Sequence, residues 1–342
     1  MAKQTRKTTK APARRTTASA RRFSNRTAVG VLGVLLGLWL VYGTLSVQPF
    51  RWGTLAEELI VALCVVFALR LLCMANLSKG IVAACLILLP AGIVVYGAYA
   101  AASLGANFYR YLCLAGTGLL SLLAARLLDS RPDGVLVAFL LMLASLPGLF
   151  SGDVLLIEEL MRLFLTAGVF FMMVSIREKS PWMALCAAPL FGFAGSAGLY
   201  AAFVALGTAV GTLLSAPKKQ RGIWVLSAVL AVGLALGALV LAKQYLPQDS
   251  VLLLENAEGT SELAAFLNGP LMRALAVGVI LMAARYFVSN QDAATPALLA
   301  LLGGALVRLI FPGSAPDAWM DTPIFTALAG AGIAATGRTG RR

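Results

Sequence analysis

The sequence of 342 residues contains no histidine, and only 13% of its residues are charged. Histidine is the commonest general acid or base near neutral pH and a frequent metal ligand, so catalysis or metal binding through imidazole is excluded. In a soluble domain about a quarter of the residues are charged. An ordinary soluble enzyme is therefore excluded as well.

Motifs that identify a nucleotide site, a zinc site or a nucleophilic serine are also missing. The chain has no phosphate-binding glycine loop, no zinc-ligand spacing and no nucleophile elbow. Its five cysteines lie inside apolar stretches and form no Cys-x-x-Cys pair, so we interpret them as small packing residues. We predict no cofactor and no metal, and we favour a protein that is not an enzyme.

Apolar residues dominate what is present, with 60% hydrophobic residues and a mean hydropathy of +0.86. A bilayer core of about 30 Å requires about 20 apolar residues per helix, and lipid leaves no backbone group unpaired. We therefore predict an all-α, polytopic transmembrane helix bundle of about 12 spans, arranged as helical hairpins. The predicted spans are 28–48, 55–75, 81–102, 108–128, 134–151, 154–176, 182–199, 200–216, 222–246, 271–288, 296–312 and 322–337.

The stretch 182–216 needs a separate argument because it holds no charge and is about 35 residues long. One crossing requires only about 20 residues. We predict two short helices that meet near Gly198. Only an even number of crossings here keeps Lys179 and Lys218 on the same side of the membrane.

Basic residues in the predicted loops fall mainly on one side. With alternating crossings and the amino terminus inside, the inner side receives 22 of the 28 Lys and Arg residues but only 4 of the 15 Asp and Glu residues. Short cytoplasmic loops are enriched in Lys and Arg. We therefore predict that both termini are cytoplasmic and that the protein resides in a bacterial cytoplasmic membrane.

Three regions follow from this layout: a basic tail over 1–27, a membrane domain over 28–337 and a basic end over 338–342. The tail has nine basic and no acidic residues, so we expect it to be disordered and to bind anionic lipid headgroups. Residues 3–12 resemble the amino-terminal tail of a core histone, but nothing else in the chain does, and we attribute this to composition. Phe23 is the tail's one aromatic residue, which disfavours nucleic acid as a partner.

Some features recur about 55 residues apart. Arg70 and Arg126 end similar helices, and Pro90 and Pro147 lie at similar positions in the helices that follow. Transporters are often built from duplicated helix units. Two interpretations stay open: a duplicated helical hairpin, or the likeness that apolar helices share through common topology.

Arginines at predicted outer helix ends are the candidate binding residues, because they run against the charge bias. These are Arg110, Arg162 and Arg273. Arg308, near the outer end of its own helix, either joins them or extends to the lipid headgroups. A guanidinium inside a bundle is costly unless it is paired. One interpretation is that these side chains line an outward-facing cavity and bind an anionic solute or lipid headgroup through bidentate contacts.

The other interpretation is internal pairing. Glu158 and Glu159 precede Arg162 by four and three residues, which places them on the same helix face. We include both glutamates in the candidate site. Glycine pairs spaced by four residues, such as Gly207 with Gly211 and Gly233 with Gly237, are predicted to serve packing inside the bundle, with dimerisation as the alternative.

Three functions remain open at this point. The first is a transporter or flippase-like protein without its own ATPase. The second is a non-catalytic scaffold or assembly subunit that binds another membrane protein. The third is an integral-membrane transferase acting on a lipid-linked substrate. A polar cavity lined by the arginines favours the first function, whereas a closed apolar bundle with an exposed small-residue groove favours the second.

Overall fold

A computed structural model describes residues 27–35, 52–73, 79–105, 107–129, 131–150, 156–217, 221–245, 270–288, 292–311 and 318–336. Every regular element in these ranges is a helix, which confirms the all-α prediction for the described part of the chain. The helices are α1 (27–35), α2 (Trp52–Leu72), α3 (Lys79–Leu104), α4 (Phe108–Leu128), α5 (Pro132–Phe150), α6 (Leu156–Glu178), α7 (Pro181–Gly195), α8 (Leu199–Ser215), α9 (Arg221–Tyr245), α10 (Pro270–Val288), α11 (Thr295–Ile310) and α12 (Thr322–Thr336). Short 3-10 helices, Asp292–Ala294 and Ala318–Asp321, precede α11 and α12.

Five segments of the described chain are long and apolar enough to cross a membrane. They are Gly80–Ser103, Phe108–Leu128, Leu156–Glu178, Arg221–Tyr245 and Asp292–Ile310. Of these, α3 and α9 also carry large exposed apolar side chains, including Ile87, Val95, Val229 and Leu241. Contiguous apolar surface of this kind is suited to lipid rather than water. These helices indicate an integral membrane protein.

The shorter helices α7 and α12 have 15 residues each. At 1.5 Å per residue each is about 22 Å long, less than the roughly 30 Å of a bilayer core. Every residue of α12 from Thr322 to Ala334 is buried. Neighbouring helices rather than lipid therefore surround α12.

The stretch 182–216 forms two helices, as predicted. α7 ends at Gly195, α8 begins at Leu199, and Gly198 between them has an extended backbone. Pro181 occupies the first turn of α7, where its missing N–H costs no hydrogen bond. The break thus lies at residues 196–198, near the glycine expected to cause it.

Contacts at glycines define the relative directions of several helices. A Cβ atom added to Gly207 would lie 2.0 Å from the carbonyl oxygen of Leu299, and one added to Gly211 would lie 2.8 Å from that of Thr295. Since one residue number rises as the other falls, α8 and α11 are antiparallel. On α7, Gly192 faces Leu234 and Gly195 faces Ala235, so these two glycines lie against one turn of α9.

Four of the five most extensive contacts join helices that are not consecutive in the chain: α8 with α11, α7 with α9, α5 with α12, and α10 with α12. The fifth joins the consecutive helices α6 and α7. The pair α3 and α4 does form an antiparallel hairpin, because Gly97 faces Tyr111 while Gly118 faces Leu89. The consecutive helices α6 and α7, and α8 and α9, also pack against each other, whereas the other extensive contacts form where glycine and alanine faces meet.

The two glycine pairs on α8 and α9 behave differently. Gly207 and Gly211 contact the backbone of α11, as predicted. The prediction is wrong for Gly233 and Gly237, which have no non-local atom of the described chain within 4 Å of a built Cβ. The reason is that α9 buries a different face, formed by Trp224, Ser227, Ala228, Ala231, Ala235, Leu239 and Ala242.

Several predictions fall outside the described residues. These are the basic tail apart from Thr27, the basic end over 338–342, and the side chain of Arg273, whose backbone belongs to α10.

Candidate functional site

Arg308, Asp321 and Tyr200 form a buried cluster, which we name the Arg308 cluster. The Arg308 guanidinium donates a hydrogen bond to one carboxylate oxygen of Asp321, and the Tyr200 hydroxyl donates to the other. The guanidinium carbon also lies 5.0 Å from the centre of the Tyr200 ring. Only 7% of the Arg308 side chain and 4% of the Asp321 side chain are exposed.

The fold explains why these three side chains meet. Antiparallel packing brings the start of α8, with Tyr200, to the end of α11, with Arg308. Gly304 lies one turn before Arg308, and a Cβ there would be 2.7 Å from the Tyr200 hydroxyl oxygen, so the missing side chain makes room for the ring. Asp321 is supplied by the 3-10 turn that leads into α12. The cluster therefore connects α8, α11 and the start of α12.

The electrostatics of the Arg308 cluster depend on burial. Removing an ion pair from water carries a desolvation penalty, which is offset only when the geometry is good and the remaining oxygens are hydrogen-bonded. The Tyr200 hydroxyl fills this role for the second oxygen of Asp321. Attraction between a cation and an aromatic face adds to the binding of the guanidinium.

Arg162 forms a second buried ion pair, within α6. Its guanidinium donates to the carboxylate of Glu159 at 2.7 Å, and both side chains are 1% exposed. Glu158 is half-buried beside this pair. Glu158 and Glu159 lie in the first turn of α6, where the helix dipole favours negative charge. The structure thus brings Glu159 and Arg162 together on one helix face.

Arg110 lies in the first turn of α4. The helix begins there because the side chain of Asn107 accepts a hydrogen bond from the backbone N–H of Tyr109, at 3.1 Å. Arg110 is half-buried, with its guanidinium 6.0 Å from the ring centre of Tyr111. Of the candidate arginines, Arg162 and Arg308 are thus each paired with a carboxylate, on different helices.

A group of hydroxyl side chains lies between α4 and α12. Ser121 donates to the carbonyl oxygen of Pro323 at 2.7 Å, and Thr326 donates to the same oxygen at 2.9 Å. The two hydroxyl oxygens are 2.7 Å apart. Beside them is a cavity of about 10 Å³, bounded by α4, α6, α11 and α12. This volume corresponds to about one water molecule, so the cavity is too small for a lipid headgroup. Its lining includes none of the candidate arginines, so it is not the arginine-lined cavity expected of a transporter.

Sequence reasoning identified Arg308 but missed Asp321 and Tyr200. The available signal for Asp321 was an acidic residue just before a helix that starts on the same side as Arg308. No comparable signal existed for Tyr200, which is far from both in the chain. Comparison of the chain with protein families, curated proteins and solved structures gave no match.

Proposed function

We propose that this protein crosses a bacterial cytoplasmic membrane about twelve times and transports an anionic solute, or translocates a lipid with an anionic headgroup, without an ATPase of its own. The observation that carries this proposal is the Arg308 cluster. Ionisable side chains inside a membrane domain are costly and commonly line substrate pathways. Guanidinium groups suit bidentate binding of phosphate and carboxylate.

Helix directions support the proposed crossings. Alternating crossings require α3 and α4 to be antiparallel and α8 and α11 to be antiparallel, and the contacts of their glycines agree with both directions. With α7 and α8 as separate crossings, Lys179 and Lys218 lie on the same side of the membrane. The positive-inside rule assigns this side to the cytoplasm. Both termini are then cytoplasmic, and the Arg308 cluster faces the outer end.

In this mechanism Asp321 acts as the resident anion of the site. An incoming phosphate or carboxylate competes with Asp321 for Arg308, and its binding releases the start of α12 from α8 and α11. Arg162, paired with Glu159, offers a second exchangeable ion pair on α6, and Arg110 and Arg273 add positive charge at the outer helix ends. Because one anion replaces another, the guanidinium never remains unpaired in a region of low dielectric constant.

The test uses the purified protein in vesicles with fluorescent phosphatidylglycerol, and with the matching phosphatidylcholine as the zwitterionic control. Arg308→Gln and Arg162→Gln are each expected to reduce phosphatidylglycerol translocation at least tenfold while the protein still elutes as a folded species. Arg126→Gln is the matched control, since Arg126 is exposed in the last turn of α4. Uptake of radiolabelled phosphate in the same vesicles distinguishes a solute from a headgroup. Wild-type rates in Arg308→Gln and Arg162→Gln would contradict the proposal.

A second candidate, a scaffold or assembly subunit, is favoured by the exposed face of α9. Gly233 and Gly237 are exposed there among large apolar residues, and this spacing lets another membrane helix approach closely. If assembly is the function, Gly233→Leu combined with Gly237→Leu abolishes a higher-mass complex on native gels, whereas Arg308→Gln retains it. A complex that survives the double substitution would contradict this candidate.

A further inference from the structure

The hydroxyl of Thr166 on α6 is one of three buried hydroxyls of the described residues, with those of Ser215 and Thr322, that have no hydrogen-bond partner. Thr166 is 4% exposed, and its Oγ1 has no hydrogen-bond partner among the described residues. By contrast, Thr208 and Thr212 donate to carbonyl oxygens four residues earlier in α8, at 2.6 and 2.8 Å. A buried hydroxyl without a partner is destabilising, so native proteins rarely keep one.

Thr166 lies in the wall of the cavity between α4, α6, α11 and α12, and Ser121 lies in the same wall. The cavity of about 10 Å³ corresponds to a single water-sized space. Arg162, one turn earlier on α6, also has a buried atom, Nε, with no partner in the described part of the chain. Two buried polar atoms on one face of α6 therefore require polar partners.

The hydrogen bonds of Ser121 and Thr326, across the cavity from Thr166, indicate which kind of molecule can bind there. Ser121 and Thr326 use their protons on the carbonyl oxygen of Pro323 or on each other. A hydroxyl oxygen has two lone pairs, so Ser121 can still accept a hydrogen bond. The Thr166 O–H is available as a donor. One molecule that both accepts and donates, and that fills a single-water space, satisfies both walls.

We infer that one buried water molecule binds in this cavity, accepts a hydrogen bond from Thr166 and donates one to Ser121. It connects α6 to α4 and, through Pro323, to α12. A cation fits the site poorly, because the lining residues comprise hydroxyl and apolar side chains without a carboxylate. This inference does not depend on the proposed transport function.

The test compares thermal unfolding of the full-length protein in detergent for Thr166→Val and the wild type. Valine has the shape of threonine but cannot bind the water, so the water loses a partner and the unfolding midpoint falls by about 2–5 °C. Thr166→Ser, which keeps the hydroxyl, is expected to stay closer to the wild type. Thr208→Val is the matched control, because it deletes a hydroxyl bonded within its own helix.

An empty cavity predicts the opposite change in the unfolding midpoint. If the cavity is dry, valine removes an unpartnered polar group, and the midpoint of Thr166→Val rises. Either a rise or a change no larger than that of Thr208→Val would overturn the inference. A midpoint that increases when sodium replaces choline, in the wild type but not in Thr166→Val, would identify a cation and overturn it as well.

Discussion

Arg308 at the end of α11 and Asp321 in the 3-10 helix before α12 form an ion pair almost completely removed from solvent. Their separation in sequence is small, and Tyr200, more than a hundred residues earlier, completes the same cluster from α8. The pair therefore depends on the tertiary packing of three helices. The stability of this end of the bundle is expected to depend on each of the three side chains.

Asp321→Asn is predicted to be strongly destabilising. It removes the carboxylate from a buried guanidinium, a change that costs about 3–5 kcal/mol in buried ion pairs. A large decrease in the thermal midpoint in detergent is the expected result. Glu178→Gln serves as the control, because Glu178 is exposed at the end of α6 and its charge is screened by solvent. Equal midpoints for the two variants would show that the ion pair adds nothing to stability.

Tyr200→Phe is predicted to have a smaller effect than Asp321→Asn. The phenyl ring keeps the packing against Gly304 and Arg308, while one hydrogen bond to the Asp321 carboxylate is lost. A hydrogen bond to a charged group contributes about 1.5–3 kcal/mol. In the same thermal measurement, the midpoint is expected to decrease in the order wild type, Tyr200→Phe, Asp321→Asn. The reverse order of the two variants would mean that the hydroxyl matters more than the charge.

Gly207→Ala and Gly233→Ala are predicted to have opposite effects. The added Cβ of the first would lie 2.0 Å from the carbonyl oxygen of Leu299, so the two helices must separate, at a cost of roughly 1–3 kcal/mol. The second meets no non-local atom of the described chain within 4 Å, and alanine favours the helix by about 1 kcal/mol. Thermal midpoints and yields from membranes measure both. A similar decrease in thermal midpoint and yield for both variants would indicate that Gly233 also lies in a tight interface.

Labelling of single cysteines tests the crossings of α7 and α8. In a background without the five native cysteines, Ser196→Cys is expected to react with an impermeant maleimide added to intact cells. Lys179→Cys and Ala216→Cys are expected to react only after the membrane is permeabilised. The turn at residues 196–198 lies between the two helices. If α7 and α8 are separate crossings, this turn lies on the opposite side of the membrane from Lys179 and Ala216. Labelling of all three positions from the same side would contradict the proposed topology.

The helices could be predicted from the sequence because apolar length and charged boundaries are local signals. The span 108–128 matches α4 residue for residue, and the break in 182–216 follows from a charge-free stretch too long for one helix. The pairing of helices could not be predicted, since it depends on which glycine faces meet. For the same reason the sequence indicated Arg308, an arginine at a predicted outer helix end, as a candidate. It did not indicate Tyr200, the partner of Arg308 on α8.

The close approach of α8 and α11 has a consequence for how this protein moves. A built Cβ at Gly303 would lie 2.3 Å from the carbonyl oxygen of Phe203, just as one at Gly207 would meet Leu299. At these points main chain rests on main chain, and no side chain between the helices is available to change rotamer and absorb a displacement. The two helices are therefore expected to shift or tilt together as one rigid body, so a conformational change at the Arg308 cluster would displace α12 relative to that body.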